Sequence, residues 1–357
     1  MLSRFSRNTT HFSQQFFSYT TGNNSKALMK YTLNDFFGKF PDYPELLISL
    51  QEKNLFKNKE PVDCNVYTFL NQLPAKNILN KSAFQLIATP LTLPMIQSMV
   101  PSTISKKKLP EDFEALRPDM KRYTTCMMAV LKSPEAERLY EPHSPHHEAV
   151  SEFRHGLQAG KHALFSERTL RDVLAMIGHD VGRIPKDPVH GHKNHHLDGS
   201  IMLKPLGLFD YALYHPFAKY LLKVFCSPYQ DLISPLSAYS LAIQEKTFHP
   251  IIKKLENLSS EELPGVIYKL MRLRLYDDMS KIGDVMLKEQ GVSLDSLYFD
   301  NETLQEMFDI QIETHVQIIA KSCSNPKTVA AAYTRELHEA IHLFDHQSVQ
   351  VLRPGRG

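Results

Sequence analysis

Several features that would classify a chain at once are missing from this one. There is no surplus of charge: across 357 residues, 41 Lys and Arg stand against 39 Asp and Glu, a formal net charge of +2. Nucleic-acid binders gather basic residues into patches, so no nucleic-acid partner is expected. The one basic run, Lys106-Lys107-Lys108, meets Pro110, Glu111 and Asp112 almost at once and reads as a solvated loop. Nor is there a C-x-x-C pair. Cys64, Cys126, Cys226 and Cys323 are scattered, which argues against a disulfide framework and for reduced thiols in a cytosol-like compartment.

A long apolar run is also lacking. Residues 82–105 carry no charge, but Pro90, Pro94 and Pro101 interrupt them, and Gln85, Gln97 and several Ser and Thr dilute them. A membrane-spanning helix needs about 20 predominantly apolar residues. The stretch is expected to be a buried helix–turn segment, with no membrane span. Acidic residues are absent from the first 34 positions, where Arg4, Arg7, Lys26 and Lys30 lie among Ser, Thr, Asn and Phe. Organelle presequences have that composition, and so do loose bacterial tails. The expected location is cytoplasmic, with organelle targeting as the alternative.

Alternation of the β type is scarce, and no fixed-period repeat stands out. What is present is helical. Segments such as "EAVSEFRHGLQAGKHALF", "LPGVIYKLMRLRLYDDMSKIGDVMLKEQ" and "NETLQEMFDIQIETHVQIIAKSC" space their apolar residues by three and four, which is the amphipathic-helix period. Pro and Gly cluster in "IPKDPVHGH" (184–192), a loop between helices. The expected fold class is all-α. The expected organisation is a leader over 1–35, a helical region over 36–135, a histidine-rich domain over 136–290 and a helical extension over 291–357. The motif "IHLFDHQ" (341–347) in that extension reads as surface helix.

Histidine is unevenly spread. Twelve of the 17 lie between His143 and His249, and histidine is the commonest metal ligand among side chains. Within this stretch "DVLAMIGHDVGR" ends an apolar run with two ionisable residues, His179 and Asp180. Burying such a pair costs several kcal/mol unless something neutralises it, and a metal ion does so. Further candidates follow in order: His155 in "EFRHGLQ", one of His195 and His196 in "NHHLDG", His215 in "YHPFAKY" and Asp277 in "RLYDDMSK". Imidazole and carboxylate together suit iron, manganese or zinc. Neighbours on a helix diverge by about 100°, so His179 can serve one ion while the two oxygens of Asp180 bridge to a second.

The ordered set H…HD…H…H…D resembles the signature of HD-domain metalloproteins, whose founders are metal-dependent phosphohydrolases. Closer likeness is to the mixed-valence di-iron oxygenases, the branch of myo-inositol oxygenase and the phosphonate-cleaving oxygenases. It runs from about Glu148 to about Ile282. The resemblance implies an HD-type helical bundle with two iron ions held by His155, His179, Asp180, His195, His215 and Asp277. It selects His195 over His196, because the family's ligand stands four residues before the glycine, here Gly199. It implies catalytic roles for Asp180, Glu148 and Lys219. It also implies a substrate pocket drawn from Glu148, Arg183, Lys219, Ser237, Gln244 and Arg274. Lys219, Ser237 and Arg274 would hold a phosphonate or carboxylate through charge-assisted hydrogen bonds, and Glu148 would receive a substrate ammonium or hydroxyl.

One family tyrosine is replaced here by Pro145. The implied activity is O2-dependent C–H abstraction with bond cleavage or hydroxylation, on a small anionic substrate. One alternative is a phosphohydrolase using Mn2+, Co2+ or Zn2+ with the same ligands. Another is a binding module with a vestigial centre.

Overall fold

The computed structural model describes residues 109–140, 148–167, 169–185, 194–225, 276–278, 280–289, 291–294 and 301–351, with Pro94, Ile96, Met99, Leu270, Leu273 and Arg274. Helix accounts for 79% of this described part, and strand is almost absent. Contacts between Cα atoms divide the chain into two units, one of residues 79–215 and 276–357, the other of 1–78 and 216–275. The first unit runs across the limits expected at 135/136 and 290/291. The described helices before and after the histidine-rich middle therefore fall in the same unit as residues 136–215 and 276–290 of that middle.

The complete elements described in that body start with α1 (Glu111–Glu114) and α2 (Arg117–Leu131), followed by a short antiparallel pair, β1 (Leu139–Tyr140) and β2 (Glu148–Ser151). The pair corrects one expectation. "EAVS" reads as the first turn of the helix carrying His155, yet it is a strand, and α3 starts only at Glu152 (Glu152–Glu167). The reason lies in a turn far enough upstream to be invisible to local periodicity. Leu139 pairs with Ser151, and Tyr140 with Glu148. The carbonyls of Arg138 and Ala136 then accept from the backbone N–H groups of Glu152 and Phe153, at 3.3 and 2.9 Å. Donors at a helix start have no partner within the helix. Here the preceding turn supplies two, and the helix starts where they end.

Helix α4 (Leu170–Gly178) is capped by Thr169, whose hydroxyl accepts from the Asp172 N–H at 3.1 Å. Loss of such a cap costs about 1 kcal/mol. From Leu170 to Gly178 only Arg171 escapes burial, as suits a helix packed against α3 on one side and a C-terminal helix on another. Gly156 makes the first of these contacts possible: a Cβ there would lie 2.4 Å from the Ile177 carbonyl oxygen. A 3-10 turn (Val181–Arg183) follows α4. Then come α5 (His195–Leu203), a second 3-10 turn (Lys204–Leu206) and α6 (Phe209–Phe225). Asp277 sits in a helical turn at 276–278, ahead of α7 (Asp284–Glu289), α8 (Asn301–Ser322) and α9 (Pro326–Val351).

The last two helices are built into the core. Tyr333 and Gln311 donate to the carbonyls of Pro205 and Leu206 at 2.7 and 2.9 Å, and Tyr123 of α2 donates to that of Met202 at 2.7 Å. Carbonyls at the end of a helix lack intrahelical donors, so these side chains fix where α5 stops. The "IHLFDHQ" motif is helical, as expected, but it is not purely surface: Ile341 and Phe344 are buried. Among the described residues, no helix is long and apolar enough to cross a membrane. Most of residues 82–105 lie outside the described residues; Ile96 is buried.

Candidate metal centre

Each donor is placed by a different local device. His179 is the C-cap of α4, where the chain leaves the helix and the ring turns inward. Its Nδ1 lies 2.7 Å from the Met176 carbonyl oxygen. His155 is on the first turn of α3, with Nδ1 3.1 Å from the Ser280 carbonyl oxygen. His215, in α6, has Nδ1 2.8 Å from the Ala212 carbonyl oxygen. A carbonyl oxygen only accepts, so in the neutral form of all three rings Nδ1 carries the hydrogen and Nε2 carries the lone pair. His195 opens α5, behind Asn194, whose φ of 58° is left-handed.

Those lone pairs converge. His155 Nε2 and His179 Nε2 are 3.2 Å apart. Asp277 spans both, Oδ1 lying 3.2 Å from His155 Nε2 and Oδ2 3.3 Å from His179 Nε2. Asp180 Oδ2 lies 3.5 Å from His179 Nε2 and 3.9 Å from His155 Nε2. The other oxygen of the same carboxylate faces the opposite way: Oδ1 is 3.3 Å from His195 Nε2 and 3.4 Å from His215 Nε2. Those two nitrogens are in turn 3.2 Å apart. Two donor groups result, His155–His179–Asp180 and Asp180–His195–His215, each with ligand atoms within 4.8 Å of one another. Asp180 belongs to both.

All six side chains are buried, and the chemistry of the donors asks for a cation. Two imidazole nitrogens at 3.2 Å repel unless a proton or a metal cation lies between them. Burial opposes charge on His179, yet the carboxylates of Asp180 and Asp277 outweigh it and raise its pKa to about 9. Asp180 is held well below the usual carboxylate range in spite of burial, by His179, His195 and His215. Burial and the neighbouring imidazoles push His215 well below its ordinary value. Three of the rings are oriented by backbone carbonyls, and each of the two groups could hold a metal ion, with Asp180 common to both.

Gly182 sets the second group as Gly156 sets the first. A Cβ at Gly182 would lie 2.2 Å from the His195 carbonyl oxygen, so only glycine lets the turn after Asp180 press on the start of α5. His196 is also buried, its ring edge-on to that of His195 with centroids 5.8 Å apart, but it belongs to neither donor group.

The pocket residues expected from the sequence fare unevenly. Arg183 is buried and donates through Nε to Glu152 Oε1 at 3.0 Å. Lys219 and Arg274 are buried, and both belong to the other unit. The backbone of Glu148 lies in β2 rather than on the ligand helix, and its side chain lies outside the described residues. Ser237 and Gln244 lie outside them altogether.

Glu152 is the residue that sequence reasoning passed over. An acid in the first turn of a helix is commonplace, since it favours the helix dipole, and nothing local marks this one as buried. Its spacing was the available signal, because Glu152 stands one turn before His155 and shares its helical face. Burial raises its pKa to about 7, Arg183 pulling it down and the charge of Asp180 pushing it up.

Comparison with known proteins returned no matching family model, no matching curated protein and no matching solved structure.

Proposed function

We propose that this chain is an HD-type di-iron oxygenase acting on a small substrate that carries a phosphonate or carboxylate beside a hydroxyl or amine. The observation that carries the reading is the carboxylate of Asp180, one oxygen turned to His179 and His155 and the other to His195 and His215. The sequence resemblance adds the metal and the chemistry: bound iron would supply O2 binding and the redox capacity to break a substrate C–H bond. The protein's share is coordination, orientation and charge.

His155, His179 and Asp277 would hold one ion, and His195 and His215 the other, with Asp180 between them. Among the described residues the second set has one carboxylate fewer. Lys219, four residues after His215 on α6, and Arg274, three before Asp277, are buried cations. In this reading they hold the substrate's anion.

Metal analysis and electron paramagnetic resonance of anaerobically purified protein test the class. A coupled Fe(II)/Fe(III) signal, with O2 uptake on short amino- or hydroxyphosphonates, is the expected result. Zinc or manganese without iron, together with phosphatase turnover, would replace the oxygenase with a hydrolase built on the same six residues. For the anion, Lys219→Ala and Arg274→Ala should each keep full metal content. Each should weaken phosphonate binding about 10- to 150-fold, the scale of a lost hydrogen bond between charged groups. Unchanged affinity in both variants would remove the clamp.

A further inference from the structure

We propose that Glu152 determines substrate specificity, its Oε2 accepting a hydrogen bond from an N–H or O–H group on the carbon next to the substrate's anion. This rests on the reading of the centre as a site for a small anionic substrate, and it gives to Glu152, on the ligand helix, the donor-recognising role expected of Glu148, whose backbone lies in β2.

Two placements converge on this carboxylate. Glu152 stands three residues before the ligand His155 on α3, and Arg183 stands three residues after the ligand Asp180 in the 3-10 turn. Each is therefore about one turn from a donor to the centre, and the two meet through Arg183 Nε and Glu152 Oε1 at 3.0 Å, with side chains only 4% and 3% exposed. The pair is braced from the strand side. The Glu152 N–H donates to the Arg138 carbonyl, and the Arg138 guanidinium lies 3.4 Å from the carbonyl oxygens of Arg183 and Ile184. Proximity to the centre shows in the electrostatics, since the charge of Asp180 acts on Glu152.

The ion pair uses only half of the carboxylate. Glu152 Oε2 is buried and has no hydrogen-bond partner. Buried polar atoms in native proteins are nearly always satisfied, and an exception calls for a water, an ion or a ligand. A metal ion is poorly served here, because Arg183 already sets a positive charge against the same group. An N–H or O–H donor is well served, and an ammonium best of all, through a charge-assisted bond. Arg183 holds Oε1, which leaves Oε2 as the oxygen able to accept.

The test uses the full-length, metal-loaded protein and two probes with the same anion, aminomethylphosphonate and methylphosphonate. Dissociation constants come from calorimetry, and metal content is measured alongside. Wild type should prefer the amino probe by at least about tenfold, the scale of a hydrogen bond to a charged group. Glu152→Gln should abolish that preference while leaving methylphosphonate binding and metal content unchanged. Its amide oxygen can still take the Arg183 N–H, while an NH2 group replaces Oε2.

A merely structural role for Glu152 would weaken both probes together and lower metal content, and that result overturns the proposal. So does a preference that survives in Glu152→Gln. A wild type that binds both probes equally removes the role of Glu152 but leaves the anion site standing. One that binds neither overturns both. If the variant fails to fold, the wild-type crystal structure with aminomethylphosphonate decides: the probe's nitrogen should lie within hydrogen-bond distance of Glu152 Oε2, and a nitrogen placed elsewhere overturns the assignment.

Discussion

The two halves of the centre share one carboxylate and little else. The first gathers His155, His179 and Asp277 from three segments, and both of its rings are oriented by carbonyls, those of Ser280 and Met176. The second takes His195 and His215 from α5 and α6 and, among the described residues, has no carboxylate beyond Asp180. The charge balance follows. Two carboxylates make the first half attractive to a cation, and His179 accordingly rises to about 9. In the second, burial and the other imidazoles drive His215 below its ordinary value. On that balance the first half would hold a cation the more tightly of the two.

Removing what they share should have the largest effect. Asp180→Ala is expected to lose both ions, giving near-zero metal by elemental analysis in a protein that still folds. Retention of one full equivalent would show that the halves are independent. Single-half variants come next. Asp277→Ala and His195→Ala should each remove one ion, the retained one being held more tightly in His195→Ala, where the first half is intact. His196→Ala should keep most of the metal. Equal losses from His195→Ala and His196→Ala would show that both rings serve the second half.

A smaller effect concerns the support of the first half. His162 stacks on Tyr276, the neighbour of Asp277, with ring centroids 6.3 Å apart. Burial lowers its pKa from 6.5 to about 4. Between those values the unfolded chain takes up a proton that the folded one refuses. The stability is present above pH 6.5 and is lost as pH falls towards 4, by up to about 3 kcal/mol. His162→Phe should flatten this limb in melting temperatures measured across pH 4–7. An unchanged acid limb would assign the loss to other groups.

The most selective effect should come from the two glycines. Gly156→Ala and Gly182→Ala should each cost about 1–3 kcal/mol through overpacking. Gly156→Ala should weaken the first ion more, and Gly182→Ala the second. The reverse order, read by metal titration of each variant, would break the assignment of α3–α4 to one half and the turn–α5 contact to the other.

The sequence made the donors legible because their chemistry is local. A histidine or aspartate at the end of an apolar run is conspicuous wherever the run packs. Helical spacing of three and four likewise made the all-α class readable without any partner in view, and α8 and α9 carry that pattern openly. The strand at Glu148–Ser151 was not legible, since its pairing with Leu139–Tyr140 depends on a chain reversal rather than on any period within "EAVS". Glu152 was missed for a related reason: burial is a property of what surrounds a residue.

By itself, then, the sequence determined which side chains offer nitrogen and oxygen, in what order, and on which helical faces. Tertiary structure alone decided the division of labour. It set the two oxygens of Asp180 towards different pairs of histidines, placed Asp277 across a pair drawn from α3 and α4, and joined Glu152 to Arg183. It also drew α2, α8 and α9 into the body that holds the end of α5 in place. The physical reason is one of range. Residue type and helical period act over a few positions, whereas metal-ligand geometry needs atoms brought within a few ångströms from segments as far apart as His155 and Ser280, and only the packed core fixes distances of that kind.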